Sequence, residues 1–309
     1  MSTFSNNKLT NHFIVCLLAV FCCLLWGSAF PAIKIGYQLL SIPSDAIGSQ
    51  LLFAGMRFTL AGILTILFGS FLNRRLLLPK KTSFPLIFRL SLVQTVSQYV
   101  FFYIGLAHTT GVKASIITSS NVFLSLLIPC LILKQEKLTL SKLLGCLIGF
   151  SGVVLINLNG STIDMTMKWT GEGFIFLSAL SYALSSILIK GYSKKEEPVI
   201  LSGYQFALGG IIMVFCGLIG RGKIGSFSLP ALLLYFYLAF VSAVAYTLWA
   251  ILLKYNPVSK VAVYGFMNPV CGVTLSAILL KEGNQAFGLA GLISLLLVCF
   301  GIFMVNKSK

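Results

Sequence analysis

Arg57 is the residue whose type and position most directly suggest chemistry. It falls about nine residues into an apolar run at 48–70, and a guanidinium cannot shed its proton to escape the cost. An ionisable group at that depth costs roughly 2.5–3.5 kcal/mol or more, so it faces a cavity or a partner by default. All seven acidic residues, Asp45, Glu136, Asp164, Glu172, Glu196, Glu197 and Glu282, lie in loops or at the ends of apolar runs, as do His12 and His108. Arg57 therefore has no carboxylate at its own depth. Two roles stay open. It binds backbone carbonyls or snorkels and so fixes packing, or it meets a carboxylate-bearing or otherwise electron-rich solute. The same distribution weakens an intramembrane proton relay. It leaves exchange, facilitated diffusion or coupling through the edge residues Glu136 and Glu282.

Aromatic residues recur at helical spacing around this depth. Trp26 and Phe30 are four apart and share a helical face. Tyr99, Phe102 and Tyr103 form a similar face, mirrored by Tyr246 and Trp249, and Tyr182 joins the set. Such faces either line a pocket for a mostly apolar solute or serve as membrane packing and interfacial anchors. Gln94, Gln98, Asn121, Ser181, Gln205 and Asn268 are polar residues inside apolar runs, where amides seek partners. Asn268-Pro269 breaks a helix and frees carbonyls, which suits a cavity wall. The candidate substrate-binding set is Arg57, Trp26, Phe30, Gln98, Tyr99, Phe102, Asn121, Tyr182, Gln205, Tyr246, Trp249 and Asn268. No Walker A, GxSxG or HExxH pattern occurs, so no catalytic, metal or cofactor role is expected. The eight cysteines sit in apolar runs without CxxC spacing and read as small packing residues.

The elements that position these residues are long apolar runs. The chain has 309 residues, 57% hydrophobic and 10% charged, with mean hydropathy +0.95. Soluble domains carry roughly 25% charged residues, so the composition is that of an integral membrane protein. A helical span needs about 20 apolar residues, and a barrel would show short alternating segments instead. Ten runs qualify, at 13–34, 48–70, 86–107, 112–133, 141–158, 171–190, 200–219, 231–253, 259–280 and 287–305. The first is read as an uncleaved span, because no A-x-A site follows it. No polar stretch is long enough for a soluble domain. The net charge of +16 does not indicate nucleic acid, because the basic residues are split among short loops. With the N-terminus inside, sixteen of the 23 basic residues fall on the inner segments, six on the outer ones, and Arg57 is left mid-span. That asymmetry places both termini in the cytoplasm.

The two halves match run by run. Trp26…Lys34 echoes Tyr182…Lys190, and Gly55-Met-Arg-Phe echoes Gly203-Tyr-Gln-Phe. Tyr99…Lys113 echoes Tyr246…Lys260, and Glu136…Gly145 echoes Glu282…Gly291. Each half holds five spans, and an odd number inserts the second half upside down. Lys34 then lies at the outer edge and Lys190 at the inner edge. Inverted repeats of this kind mark secondary transporters, with the substrate near the midplane between the repeats. With WGSAF in the first run, GMRF in the second and the Glu136 and Glu282 run ends, the chain resembles an EamA-type member of the drug/metabolite transporter superfamily over residues 13–305. The resemblance implies an all-α membrane fold of ten transmembrane helices in two inverted five-helix repeats, 13–158 and 171–305. It also implies a central cavity lined by spans one to four and six to nine, with five and ten as packing helices.

The expected function is a secondary transporter. It moves a small organic metabolite, amino-acid-like or related, across the cell membrane, by export or exchange with alternating access. A bacterial inner membrane is the expected location. The alternatives are a channel-like or structural multi-pass protein, and a membrane enzyme, which would need mid-depth acid, base or metal-ligand clusters. The expected partners are a small-molecule solute and the lipid bilayer, without nucleic acid. The small-residue steps Gly145/Gly149 and Gly288/Gly291 are structural and offer a contact for a homodimer.

Overall fold

The computed structural model describes residues 9–43, 45–109, 114, 117–158, 168–279 and 289–307. In order come α1 (His12–Leu39), α2 (Ile47–Asn73), α3 (Phe84–Leu90), α4 (Gln98–Ala107), α5 (Ser120–Leu127), α6 (Leu140–Leu158), α7 (Phe174–Tyr192), α8 (Pro198–Ile219), α9 (Leu229–Tyr255), α10 (Val258–Ala262), α11 (Met267–Leu279) and α12 (Leu289–Lys307). A π-helical stretch, Ser91–Ser97, joins α3 to α4, and others extend α5 through Ile132 and open α7 at Trp169. Among the described residues, five stretches are long and apolar enough to cross a membrane: His12–Leu39, Ile47–Asn73, Trp169–Tyr192, Pro198–Ile219 and Leu229–Tyr255. Shorter apolar helices include Ser120–Ile132, Leu140–Leu155 and Gly291–Lys307. Large apolar side chains such as Leu67, Phe68, Phe71, Ile219 and Phe303 stand exposed on the outside. A soluble protein would bury such residues, whereas lipid solvates them.

Two expectations about helix ends change. The first helix does not close at Lys34 but runs through Pro31 and on to Leu39. A proline inside a membrane helix is tolerated because neighbouring groups re-satisfy the freed carbonyl. The expected run at 259–280 is not one helix. It breaks into α10, a 3₁₀ turn at Val263–Phe266 and α11, with Pro269 in the first turn of α11. Proline is accepted in a first turn, where its missing N–H has no intrahelical acceptor to serve.

The most extensive contacts are between α2 and α8 and between α6 and α12. The first explains the glycines of both helices. A Cβ at Gly62 would lie 2.3 Å from the Ala207 nitrogen, and one at Gly210 would lie 2.4 Å from the Thr59 nitrogen. Gly55 meets the Gly210 carbonyl, Gly62 meets the Gly203 carbonyl, and Gly48 meets Gly220. Numbers rise along one helix as they fall along the other, so α2 and α8 run antiparallel with their backbones in contact. In lipid no hydrophobic drive holds two helices together, and small residues that allow this approach supply the packing instead.

The α6–α12 contact bears out the structural reading of the Gly145/Gly149 step. A Cβ at Gly145 would lie 2.8 Å from the Gly301 carbonyl, and one at Gly149 would lie 2.6 Å from the Phe266 ring. Both glycines are used within the chain. Gly288, half of the second step, lies outside the described residues.

Gly62→Val should lower thermal stability in detergent by about 1–3 kcal/mol or more, because backbone cannot yield as a side chain does. Gly191→Ala, where nothing lies within 4 Å of the added carbon, is the control and should leave stability equal or slightly raised. Equal melting of Gly62→Val and wild type would contradict the backbone contact.

Candidate functional site

Arg57 and Phe58 project from α2 between Gly55 and Gly62, and Gln205 and Phe206 project from α8 between Gly203 and Gly210. The glycine contact therefore brings the two side-chain pairs together. The rings of Phe58 and Phe206 stack at 5.2 Å, only 10° from parallel. Tyr99 of α4 lies 4.5 Å from Phe58, and Tyr246 of α9 lies 4.9 Å from Phe206. The hydroxyls of Tyr99 and Tyr246 share a hydrogen bond of 2.6 Å. Trp26 of α1 closes the cluster, 5.0 Å from both Tyr246 and Trp249 and 6.5 Å from Tyr182. A Cβ at Gly27 would lie 2.6 Å from the Cys271 side chain and 2.9 Å from the Gly272 nitrogen. The glycine of WGSAF thus lets α1 press onto α11 and fixes where its tryptophan points.

Arg57 is 3% exposed. Its guanidinium carbon sits 4.3 Å from the centroid of the Phe58 ring and 6.0 Å from that of Tyr99. Such cation–ring contacts contribute roughly 0.5–2 kcal/mol, more as the site is desolvated. The charge is within electrostatic reach of the hydroxyls of Tyr37, Tyr99, Tyr235 and Tyr246. Among the described residues no carboxylate pairs with it, and its Nε has no hydrogen-bond partner. Other polar atoms of the candidate set are in the same condition: Trp26 Nε1, Trp249 Nε1, Gln98 Oε1 and Gln205 Nε2 are buried without partners. Gln205 Oε1 does accept a bond from Thr95 Oγ1 at 2.7 Å. Thr95 lies in the π-helical stretch, and Gly209 leaves room for it, since a Cβ there would lie 2.6 Å from Thr95 Cβ. A π turn is a frequent feature of functional sites because it re-aims side chains.

Most of the sequence-derived site thus comes together. Arg57, Trp26, Tyr99, Tyr182, Gln205, Tyr246 and Trp249 share one cluster, with Gln98 beside Tyr246 and Phe102 against Tyr103 at 5.7 Å. Asn121 and Asn268 lie on elements whose Val122 and Met267 pack in the same core as Trp26 and Trp249. Asn121 faces Gly265 in the 3₁₀ turn, 3.9 Å from where a Cβ would stand. Asn268 opens α11 with its Oδ1 unpartnered, and among the described residues no ring or hydrogen-bond contact ties either to Arg57. The Phe30 side chain lies outside those described. Phe58 and Phe206 are the central residues that the sequence reading passed over. The signal was present, since each is the fourth residue of the matched GMRF and GYQF motifs.

One end of the molecule is closed by a second charged group. Glu136 follows the α5 helix and is 10% exposed at its side chain. Its Oε1 accepts the N–H of Val258 at 2.7 Å and of Ser259 at 3.4 Å, at the start of α10. Its Oε2 accepts Ser259 Oγ and, at 3.3 Å, Lys142 Nζ. A carboxylate at a helix N-terminus satisfies free N–H groups and opposes the positive end of the dipole. Close by, Lys190 donates to the Leu253 and Asn256 carbonyls at the end of α9, whereas its echo Lys34 is exposed.

Arg57 is thus a buried cation among aromatic side chains, inside a helical multi-pass membrane protein. The model of the EamA-like transporter family matches residues 13–158 and again 169–307, and the chain belongs to that family, part of the drug/metabolite transporter superfamily. The uncharacterized transporter YvbV of Bacillus subtilis is 27% identical over 95% of this chain and 92% of its own length. An uncharacterized transporter of Archaeoglobus fulgidus is 28% identical over 89% of this chain and 92% of its own. A WAT1-related chloroplastic protein of Arabidopsis thaliana is 24% identical over 91% of this chain and 66% of its own. One solved crystal structure has the same fold, with a TM-score of 0.79 at 17% identity over 95% of this chain and 98% of that one.

Glu136→Gln should destabilise the protein by about 3 kcal/mol in a detergent melt, because Lys142 is then buried without its counter-charge. The Glu136→Gln/Lys142→Met double variant should recover part of the loss. Additive losses from the two single changes would rule out the pairing.

Proposed function

We propose that this protein is a secondary transporter that carries a small organic metabolite with an anionic group, amino-acid-like in character, through the cell membrane by export or exchange. The observation that carries the reading is Arg57: central, 3% exposed and without a carboxylate partner among the described residues. The solute's carboxylate takes the place of the missing counter-ion, and the indole and phenol faces receive its apolar body. The unpartnered Gln98 Oε1, Gln205 Nε2 and two indole nitrogens are the anchors for its remaining polar groups. A mostly aromatic pocket with a few placed polar atoms is the usual form of such a site.

The pathway lies between two inverted five-helix halves, residues 13–158 and 171–305, which make ten spans with both termini in the cytoplasm. Several contacts support this arrangement. Residues near a two-fold axis meet their own counterparts, and three repeat-matched pairs do so here: Trp26 with Tyr182, Phe58 with Phe206, and Tyr99 with Tyr246. The glycines pair reciprocally as well, Gly55 with Gly210 and Gly62 with Gly203. Rocking one half on the other about this centre gives alternating access, and the Glu136 clasp on α10 closes one end.

Reconstituted in vesicles, the protein should show saturable solute flux well below channel rates. Arg57→Gln should cut kcat/KM for its anionic or zwitterionic solute roughly 10–100-fold, the effect of losing one charged hydrogen bond. Unchanged transport of every such solute tested in the Arg57→Gln protein would end this reading.

A further inference from the structure

A cavity of about 410 Å³ lies at the end of the molecule where the α2–α3 connection, the α7–α8 turn and the last turn of α9 meet. It is far from neutral. Arg75, Lys80, Lys194, Lys195 and Lys254 line it against only Glu196 and Glu197. Both carboxylates are already engaged. Glu197 pairs with Arg75 at 2.7 Å. Glu196 accepts Ser83 Oγ at 2.7 Å, the Lys80 N–H at 3.1 Å and the Glu197 N–H at 3.1 Å. Burial alone would raise the Glu196 carboxyl, but these bonds and the Lys80 charge outweigh it and hold it below the ordinary range. Glu196 thus stays ionised and builds the wall. Lys194 and Lys195 have no carboxylate partner among the described residues.

Another part of the lining is apolar and continues onto exposed apolar surface at the end of α2. Leu76 and Leu78 line the cavity and are 68% and 62% exposed, beyond Phe71 and Leu72 on the last turns of α2. Leu77 between them points inward at 2% exposure. Its N–H is held by Ser70 Oγ at 3.0 Å and its carbonyl by Tyr204 at 3.0 Å. The leucine strip is therefore fixed in place. A ligand that fits both parts of the lining carries a phosphate-type anion on a hydrocarbon body.

We propose that this cavity binds the phosphate of an anionic glycerophospholipid, with Lys194 and Lys195 on the headgroup and the acyl chains along Leu76, Leu78 and Phe71. Basic pockets between helices at a membrane face recognise such headgroups through the same combination of charge and hydrocarbon. A soluble phosphate would use the lysines but leave the exposed leucines without purpose. The site is separate from Arg57 and does not depend on which solute Arg57 meets.

Native mass spectrometry of the purified full-length protein in detergent tests this, with phosphatidylglycerol, phosphatidylcholine and glycerol 3-phosphate as separate probes. Phosphatidylglycerol should bind roughly ten- to thirty-fold tighter than phosphatidylcholine, as expected for two lysines at a membrane surface. The Lys194→Gln/Lys195→Gln variant should lose that preference, and Lys34→Gln, an exposed lysine elsewhere, should keep it. Equal melting of wild type and variant in phosphatidylcholine nanodiscs checks that the variant is folded, and Lys254→Gln alone serves if it is not. A preference that survives in the folded double variant, or in Lys254→Gln where that stands in, overturns the proposal. So does equal binding of the two lipids. Glycerol 3-phosphate binding as tightly as phosphatidylglycerol would mean a soluble anion site, and overturns it too.

Discussion

The structure depends on the backbone contact between α2 and α8. Glycines at Gly48, Gly55, Gly62 and Gly69 on one helix, and at Gly203, Gly210 and Gly217 on the other, recur every seven residues. A seven-residue spacing keeps one face of a helix turned to its neighbour over several turns. Within lipid, helices gain nothing from hiding apolar surface from one another, and contact distance decides how well they hold. Removing the Cβ at each crossing point lets the main chains touch. That approach then forces whatever projects between the glycines into the same small space, and what projects there is Arg57-Phe58 against Gln205-Phe206.

A cation in that space is expensive, and the protein does not neutralise it with a carboxylate among its described residues. The ring of Phe58 at 4.3 Å and the surrounding phenols offset part of the cost. They do so with dipoles and quadrupoles, leaving the net charge in place. On the proposed function, a site arranged this way holds Arg57 ready for an anion while remaining apolar enough to accept the rest of a metabolite. The two tyrosine hydroxyls spend their bond on each other, which ties a helix of the first half to a helix of the second at the same depth. Glu136 does similar work near one surface, where its carboxylate holds the start of α10. Charge at the centre and charge at the edge thus have different tasks.

Much of this could be read from the sequence because a duplicated chain keeps its separations. The echoes of Trp26 in Tyr182 and of Tyr99 in Tyr246 pointed to residues that do meet, and Arg57 stood out because nothing acidic shares its depth. Other features resist such reading. The seven-residue glycine spacing is visible in the chain, but its meaning requires knowing which helix lies opposite. The Gly145/Gly149 step was legible as a close contact, while its partner, α12, was not. The π-helical stretch that carries Thr95, which packs against Gly209 and bonds Gln205, leaves no mark in residue propensities. Asn121 and Asn268 looked equivalent to the other polar residues, but Asn121 faces the 3₁₀ turn at Val263–Phe266 and Asn268 follows it at the start of α11.

The central claim is that Arg57 is held without a protein counter-ion so that a solute anion can supply one. The most direct measurement is thermal stabilisation of the purified protein by pairs of solutes that differ only in a carboxylate or its uncharged amide. The account predicts that some carboxylates stabilise the protein, that their amides do so much less, and that the difference vanishes in Arg57→Gln. Equal stabilisation by acid and amide, or a difference that persists without the guanidinium, would contradict it.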